Sequence, residues 1–277
     1  MRRFKTLALM LVMTAVAAGC GSSGGDETDT DVEPAPERPP LSTSAVPTTS
    51  GGTTIPATNL TLRMTDVRVV NSEESDSGMR VILPAGVATA SVTVNGLPSP
   101  NRVISVCQAN ELDRRLSAAA CRTPANGEAV TVTLGSAATG VEIAQVGVSG
   151  TGPEGNITIL SDVTIRYAAS SREVSLRLQE VAGGDEGRRP TFSMAPAGSG
   201  TYRAQLNWKI IPVFGGTDSR GRLELVQGGN VTNQTEGTNT QALLNGTVPA
   251  GAGDVAIRIR NVGTAAMVTP QLTVTFP

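Results

Sequence analysis

The chain reads as all-β, organised as two tandem β-sandwich domains behind an export leader and a polar tether. Sustained alternation, a near absence of helical spacing and an internal duplication carry that prediction. Val92 and Val94, then Val130, Val132 and Leu134, then Leu176 and Leu178, then Ile257 and Ile259 recur at every second position among Thr, Ser and Arg. Period two places apolar side chains on one face of a strand. Gly and Pro clusters separate the runs, as turns separate the strands of a sandwich or barrel. Only Glu111–Ala120 has a spacing that suits a short helix.

Residues 1–19 have the three parts of an export signal. Arg2, Arg3 and Lys5 form a basic start, Leu7 to Val16 an uncharged apolar run, and Ala17-Ala18-Gly19 the small residues before a cut. The run is shorter than the roughly 20 apolar residues a membrane-spanning helix needs. Ala17-Ala18-Gly19-Cys20 resembles the lipobox of bacterial lipoproteins. The resemblance implies cleavage before Cys20, diacylglycerol on its sulfur and a further acyl chain, palmitate or similar, on its amine. The implied partner is a membrane, held through lipid on Cys20. Two or three chains anchor durably, because each buried methylene adds about 0.8 kcal/mol while a single chain is marginal. Gly21 stands where many inner-membrane lipoproteins carry Asp, which points to the outer membrane of a two-membrane organism and otherwise to the outer face of the plasma membrane.

Residues 20–59 turn to Gly, Ser, Thr, Pro and acid. Asp26, Glu27, Asp29, Asp31, Glu33 and Glu37 face the single base Arg38. So little apolar surface does not offset the entropy of ordering, so a disordered tether is expected. Roughly 39 residues span about 120 Å as polyproline and about 35 Å as a flexible coil, enough to hold a folded body clear of the headgroups.

The body repeats itself. Leu60 to Val67 matches Val174 to Val181 in pattern at all eight positions. Pro84-Ala85-Gly86 matches Pro196-Ala197-Gly198, each ahead of an alternating run, Thr89 to Val94 and Tyr202 to Ile210. Gly140 to Ile143 pairs with Gly253 to Ile257, and Val163 to Tyr167 with Leu272 to Phe276. The four pairs lie 114, 112, 113 and 109 residues apart, in the same order. They define two copies of one fold, at 60–169 and 170–277, each of ordinary sandwich size. The unit resembles the bacterial pre-peptidase C-terminal domain through the apolar strand Val81 to Gly86, through Val248-Pro249-Ala250-Gly251 leading into Val255 to Ile259, and through the closing Leu272 to Phe276. That resemblance implies a jelly-roll-like sandwich and an accessory binding or targeting role.

With Cys20 assigned to lipid, Cys107 and Cys121 form an even pair in an oxidising compartment, and a disulfide between them is expected. A loop of about 15 residues contributes roughly 3 kcal/mol in the chain-entropy model. Aromatics make up only 3% of the chain, so Val, Leu, Ile, Met and Ala must supply the core.

Charge and composition exclude several functions. The chain has 22 bases and 24 acids; setting aside the leader and tether leaves 18 of each, a neutral body with no pull toward nucleic acid. Histidine is absent, which removes Ser-His-Asp and Cys-His catalysis and the commonest neutral metal ligand. In the mature chain a Ser–Lys dyad has only Lys209 to draw on, in an alternating run that places it toward solvent or at an edge. Glu142, Asp162, Glu173 and Glu224 are the candidates for a carboxylate pair, and a solvated β face accounts for each. Asp218-Ser219-Arg220-Gly221 lacks the flanking acids of a calcium cage and reads as a turn. Gly183-Gly184-Asp185-Glu186-Gly187 also reads as a turn. Tyr202 and Trp208 share a face at period two and read as core, while Arg258 and Arg260 read as an ordinary wet surface.

These features lead to an expected catalytic set of none, no cofactor and no metal. The expected function is a lipid-anchored, non-catalytic binding or structural module of the cell envelope, contacting envelope protein or glycan. The alternative is a carboxylate-based hydrolase, or an accessory subunit of an envelope enzyme.

Overall fold

In the computed structural model, residues 56–69, 78–96, 102–112, 121–135, 137–147, 159–181, 189–210, 218, 220–237 and 240–277 are described. The leader, Cys20, nearly all of the tether, the stretch 113–120 and the string Gly183–Gly187 lie outside them. The first repeat contributes β1 (Thr58–Val69), β2 (Met79–Ile82), β3 (Thr89–Asn95), β4 (Arg102–Ala109), β5 (Ala129–Thr133), β6 (Gly140–Gly147) and β7 (Ile159–Ala169). The second contributes β8 (Glu173–Arg177), β9 (Glu180–Val181), β10 (Thr191–Ala195), β11 (Gly200–Ile210), β12 (Gly221–Gln227), β13 (Asn230–Gly237), β14 (Gln241–Val248), β15 (Val255–Asn261) and β16 (Met267–Thr275). The described residues contain no helix.

Two antiparallel sheets form the sandwich that the alternation predicts. One runs β13-β12-β15-β10-β1-β7-β3-β5, and the other β14-β11-β16-β8-β2-β6-β4, with β9 on β16. Each repeat places strands in both layers. The repeats are then spliced reciprocally: β1 pairs with β10, and β8 pairs with β2. Leu62 faces Met194 across the first splice and Leu176 faces Val81 across the second. Both sheets therefore run unbroken through the pair of repeats, and inner faces of both repeats fill one core.

The matched opening strands share a break in alternation. Leu60, Leu62 and Met64 point inward at period two, and the next inward residue is Val67. A bulge between Met64 and Val67, with Asp66 at φ 56°, supplies the extra residue. Val174, Leu176, Leu178 and Val181 repeat that spacing. Both copies thus break alternation at the same place; on β1 the break is a bulge, whereas β8 and β9 keep one register along β16.

At the β13–β14 edge, Asn233 Nδ2 donates to the Tyr202 hydroxyl across 2.6 Å. At the other edge, Gln108 Nε2 donates to the Thr133 carbonyl at 2.7 Å. Tyr202 and Trp208 are core residues, as expected, 2% and 4% exposed, and the Asn233 amide satisfies the phenol's polar tip.

Because the layers are continuous, unfolding is expected to be one cooperative transition. Leu62→Ala and Leu176→Ala, one at each splice and both fully buried, should each shift that transition by about 2–5 kcal/mol in denaturant titrations. Two resolved transitions, with each substitution moving only one, would show that the repeats fold separately.

Candidate functional site

Outward-facing positions decide what this body can contact. Across the second sheet, Cys107, Glu142, Arg80 and Arg177 lie side by side on β4, β6, β2 and β8. Arg80 and Glu142 are fully buried, with Arg80 Nε donating to Glu142 Oε2 at 2.5 Å. The chain leaving β4 covers them. The Leu112 carbonyl accepts from Nη1 of Arg80 and Nη1 of Arg177, each at 3.1 Å. The expected Cys107–Cys121 disulfide is present beside this row, and Arg122 returns to bridge Val106. Gly78 closes the other side, where a Cβ would overlap the Glu142 side chain.

Glu142 is therefore not on a solvated β face. Period two correctly placed it outward, but a covering segment removed the water. Glu224 departs from expectation in the same way. It is 1% exposed and accepts from Arg258 Nη1 at 3.3 Å and Arg260 Nη1 at 3.2 Å. Arg258 and Arg260 are thus clamps on a buried carboxylate and not a merely wet surface; Arg258 is its direct neighbour on β15.

The other carboxylates lie elsewhere. Asp162 is exposed and accepts from the Asp66 amide in the β1 bulge at 3.4 Å. Glu173 is exposed and accepts from the Thr275 hydroxyl at 3.1 Å. Asp218 accepts from Arg220 Nε at 3.1 Å just ahead of β12. Lys209 is solvent-facing, as predicted. No group of three metal-ligating side chains occurs among the described residues. Glu236 receives Arg222 at 2.9 Å and Arg220 at 3.3 Å. The Arg222 hydrogen bond, reinforced by both guanidinium charges, holds its carboxyl below the usual carboxylate range.

A pocket of about 280 Å³ opens on the outer face of the first sheet. Its floor is a cross-strand row: Arg63 on β1, Ser193 on β10, Ala256 on β15 and Val226 on β12. The Gly228-Gly229 turn and Asp254 close one end. Both glycines have positive φ, 54° and 85°, the conformation a two-residue hairpin turn requires and side chains resist. Arg63 is exposed while Val226 is buried, so the pocket presents a guanidinium, a carboxylate and apolar walls together. Sequence reading passed over this site. Its residues come from four strands and one turn, and the Gly-Gly dipeptide was the only local signal.

These features define an all-β, two-repeat sandwich with an open pocket on one outer face and a covered ion pair on the other. No family model matches the chain, and no curated protein does. Among solved structures, it is similar to the infectious bursal disease virus VP2 subviral particle, at 14% identity over 80% of this chain and 72% of that one, with a TM-score of 0.24. It is also similar to the N-terminal CBM22-1-CBM22-2 tandem domain of Paenibacillus barcinonensis Xyn10C, at 12% identity over 79% of each chain, with a TM-score of 0.21. Neither likeness adds to what the strand order defines.

Two predictions follow the charged groups. Arg80→Met strands the Glu142 carboxylate and should cost about 3–5 kcal/mol, whereas adding Glu142→Leu should recover most of it; urea titrations of both variants test this, and equal losses would contradict it. For Glu236, a lowered folded pKa means that its stabilisation is present above the carboxylate range and fades as pH falls through it. Glu236→Gln should be less stable than wild type at pH 7, and thermal melts should show the gap closing in acid. A gap that stays constant as pH falls below the carboxylate range would place the effect in packing instead.

Proposed function

We propose that this protein is a bacterial cell-envelope lipoprotein, anchored through acyl chains on Cys20, whose sandwich body is a non-catalytic binding or structural module. The observation that carries the non-catalytic reading is the commitment of the interior carboxylates. Glu142 is held by Arg80, and Glu224 is shared by Arg258 and Arg260. A hydrolytic pair needs two carboxyl groups flanking one bond at a separation that leaves room for substrate. These two sit on different sheets, each already neutralised, and the open pocket is lined by the single acid Asp254.

The remaining support comes from the N-terminus and the aromatics. A basic start, an apolar run and Ala17-Ala18-Gly19-Cys20 precede a long acidic, Pro-rich tether, the order a displayed envelope module needs. A protein partner is favoured over a sugar because Tyr167, Phe192, Tyr202, Trp208 and Phe276 are all interior. None of these described aromatics offers the exposed ring on which a sugar face stacks.

Intact mass measurement on protein extracted from its native membrane tests the anchor. The wild-type chain should begin at Cys20 and carry diacylglyceryl and acyl mass. Cys20→Ala should lose that mass and leave the membrane fraction while its β-rich circular dichroism is kept. An unacylated wild-type chain would overturn the anchored reading.

A further inference from the structure

The two splices are equivalent, so each row on one outer face has a counterpart on the other. Leu62 opposite Met194 corresponds to Leu176 opposite Val81. Following the strand pairings outward, Arg63 stands where Arg177 stands, and Ser193 where Arg80 stands. Ala256 then corresponds to Glu142, and Val226 to Cys107. The open pocket and the covered ion pair are therefore the same site in two copies.

The copies differ in what lies over them. From Val106 the chain takes sixteen positions to reach its return partner Arg122; from Leu225 it takes eight to reach Asn233. The longer excursion carries Leu112 across the first-repeat row, where its carbonyl takes both arginines. The shorter one turns through Gly228-Gly229 directly into β13, and among the described residues no segment crosses the second-repeat row. There, Arg63 is exposed, Ser193 and Ala256 are small, and the covering chain has no counterpart. Val231, the cross-strand partner of Val226, is 44% exposed at the margin, one of two large apolar side chains left open to solvent among the described residues.

We infer that the Arg63 pocket is a peptide-binding site for a segment of a partner protein. The segment lays a main-chain carbonyl on Arg63, as Leu112 does on Arg177, and an apolar side chain against Val226 and the small Ala256. Asp254 selects a neutral or cationic segment, because an anion drawn to Arg63 would meet a carboxylate in the same pocket. The first repeat supplies the pattern for this binding mode within the same molecule.

The inference deepens the binding reading and uses the body alone. The probe is the capped tripeptide acetyl-Ala-Leu-Lys-amide, titrated into the isotope-labelled mature chain and followed by amide NMR. Saturable shifts are expected at Gly228, Gly229 and Ala256, with a Kd on the order of millimolar for so short a ligand. Arg63→Gln should weaken binding about tenfold, while Arg166→Gln, on the neighbouring strand of the same sheet, should leave it unchanged. The double variant Ser193→Arg, Ala256→Glu rebuilds the first-repeat pair inside the pocket and should abolish the shifts with the remaining spectrum intact. Absence of saturable shifts in wild type, or equal weakening by Arg63→Gln and Arg166→Gln, overturns the site. A silent pocket on a chain still acylated at Cys20 overturns the site alone and leaves the anchored module standing.

Discussion

Everything in the body depends on the exchange of strand pairing between repeats. A sheet that ends within one repeat exposes unpaired amides and carbonyls along its last strand, an invitation to aggregate. Here β1 of the first repeat and β8 of the second, which are the same strand in two copies, pair with β10 and β2, which also correspond to each other. The contact is isologous in the sense used for two-fold dimers, but it occurs within one chain. It removes four internal strand edges, those of β1, β10, β8 and β2, and merges two modest interiors into one. That matters for a chain so poor in aromatics: each Val or Leu gains less than a large ring would, so the gain must come from burying many of them completely.

Continuity of the layers also fixes the outer faces. Once Leu62 and Leu176 are pinned inward at the splices, period two assigns every neighbour on those rows to the outside, and a one-residue slip would invert them all. Arg63 and Arg177 are outward for this reason alone. What an outward residue then experiences depends on what crosses over it. Arg177 meets the Leu112 carbonyl under a segment pinned beside Cys107, whereas Arg63 meets an open pocket.

This dependence explains which features were legible in the sequence. Alternation, the duplicated opening strand with its shared break in spacing, the Cys107–Cys121 pair and the interior placement of Tyr202 and Trp208 are all local patterns or simple parity. Burial of Glu142 and Glu224 is not local. Each sits at an outward position, where parity predicts solvent, and each is dried by partners 34 to 62 residues away in sequence. The splice was equally hidden, since no sequence pattern says that β1 pairs with β10. Even the repeat alignment shifts slightly: pairing places Ile165 opposite Leu62 and Leu272 opposite Leu176, two residues off the sequence match of Val163 with Leu272. An even slip keeps every side chain on its face, which is why the sequence pattern tolerates it.

Duplication followed by divergence at one row then separates two demands that usually conflict. A closed outer surface wants a covering segment, a cross-link and satisfied charges, and those same features leave no place for a ligand. In the first repeat, the segment through Leu112, one disulfide and the Arg80–Glu142 pair close the row. In the second, the positions of Arg80 and Glu142 are occupied by Ser193 and Ala256, and a Gly-Gly turn replaces the excursion. A covered row holding only one member of such a pair would bury an uncompensated charge. Both members are absent together, along with the segment that would have covered them. Arg63, the counterpart of Arg177, is exposed, so water solvates its guanidinium when nothing is bound.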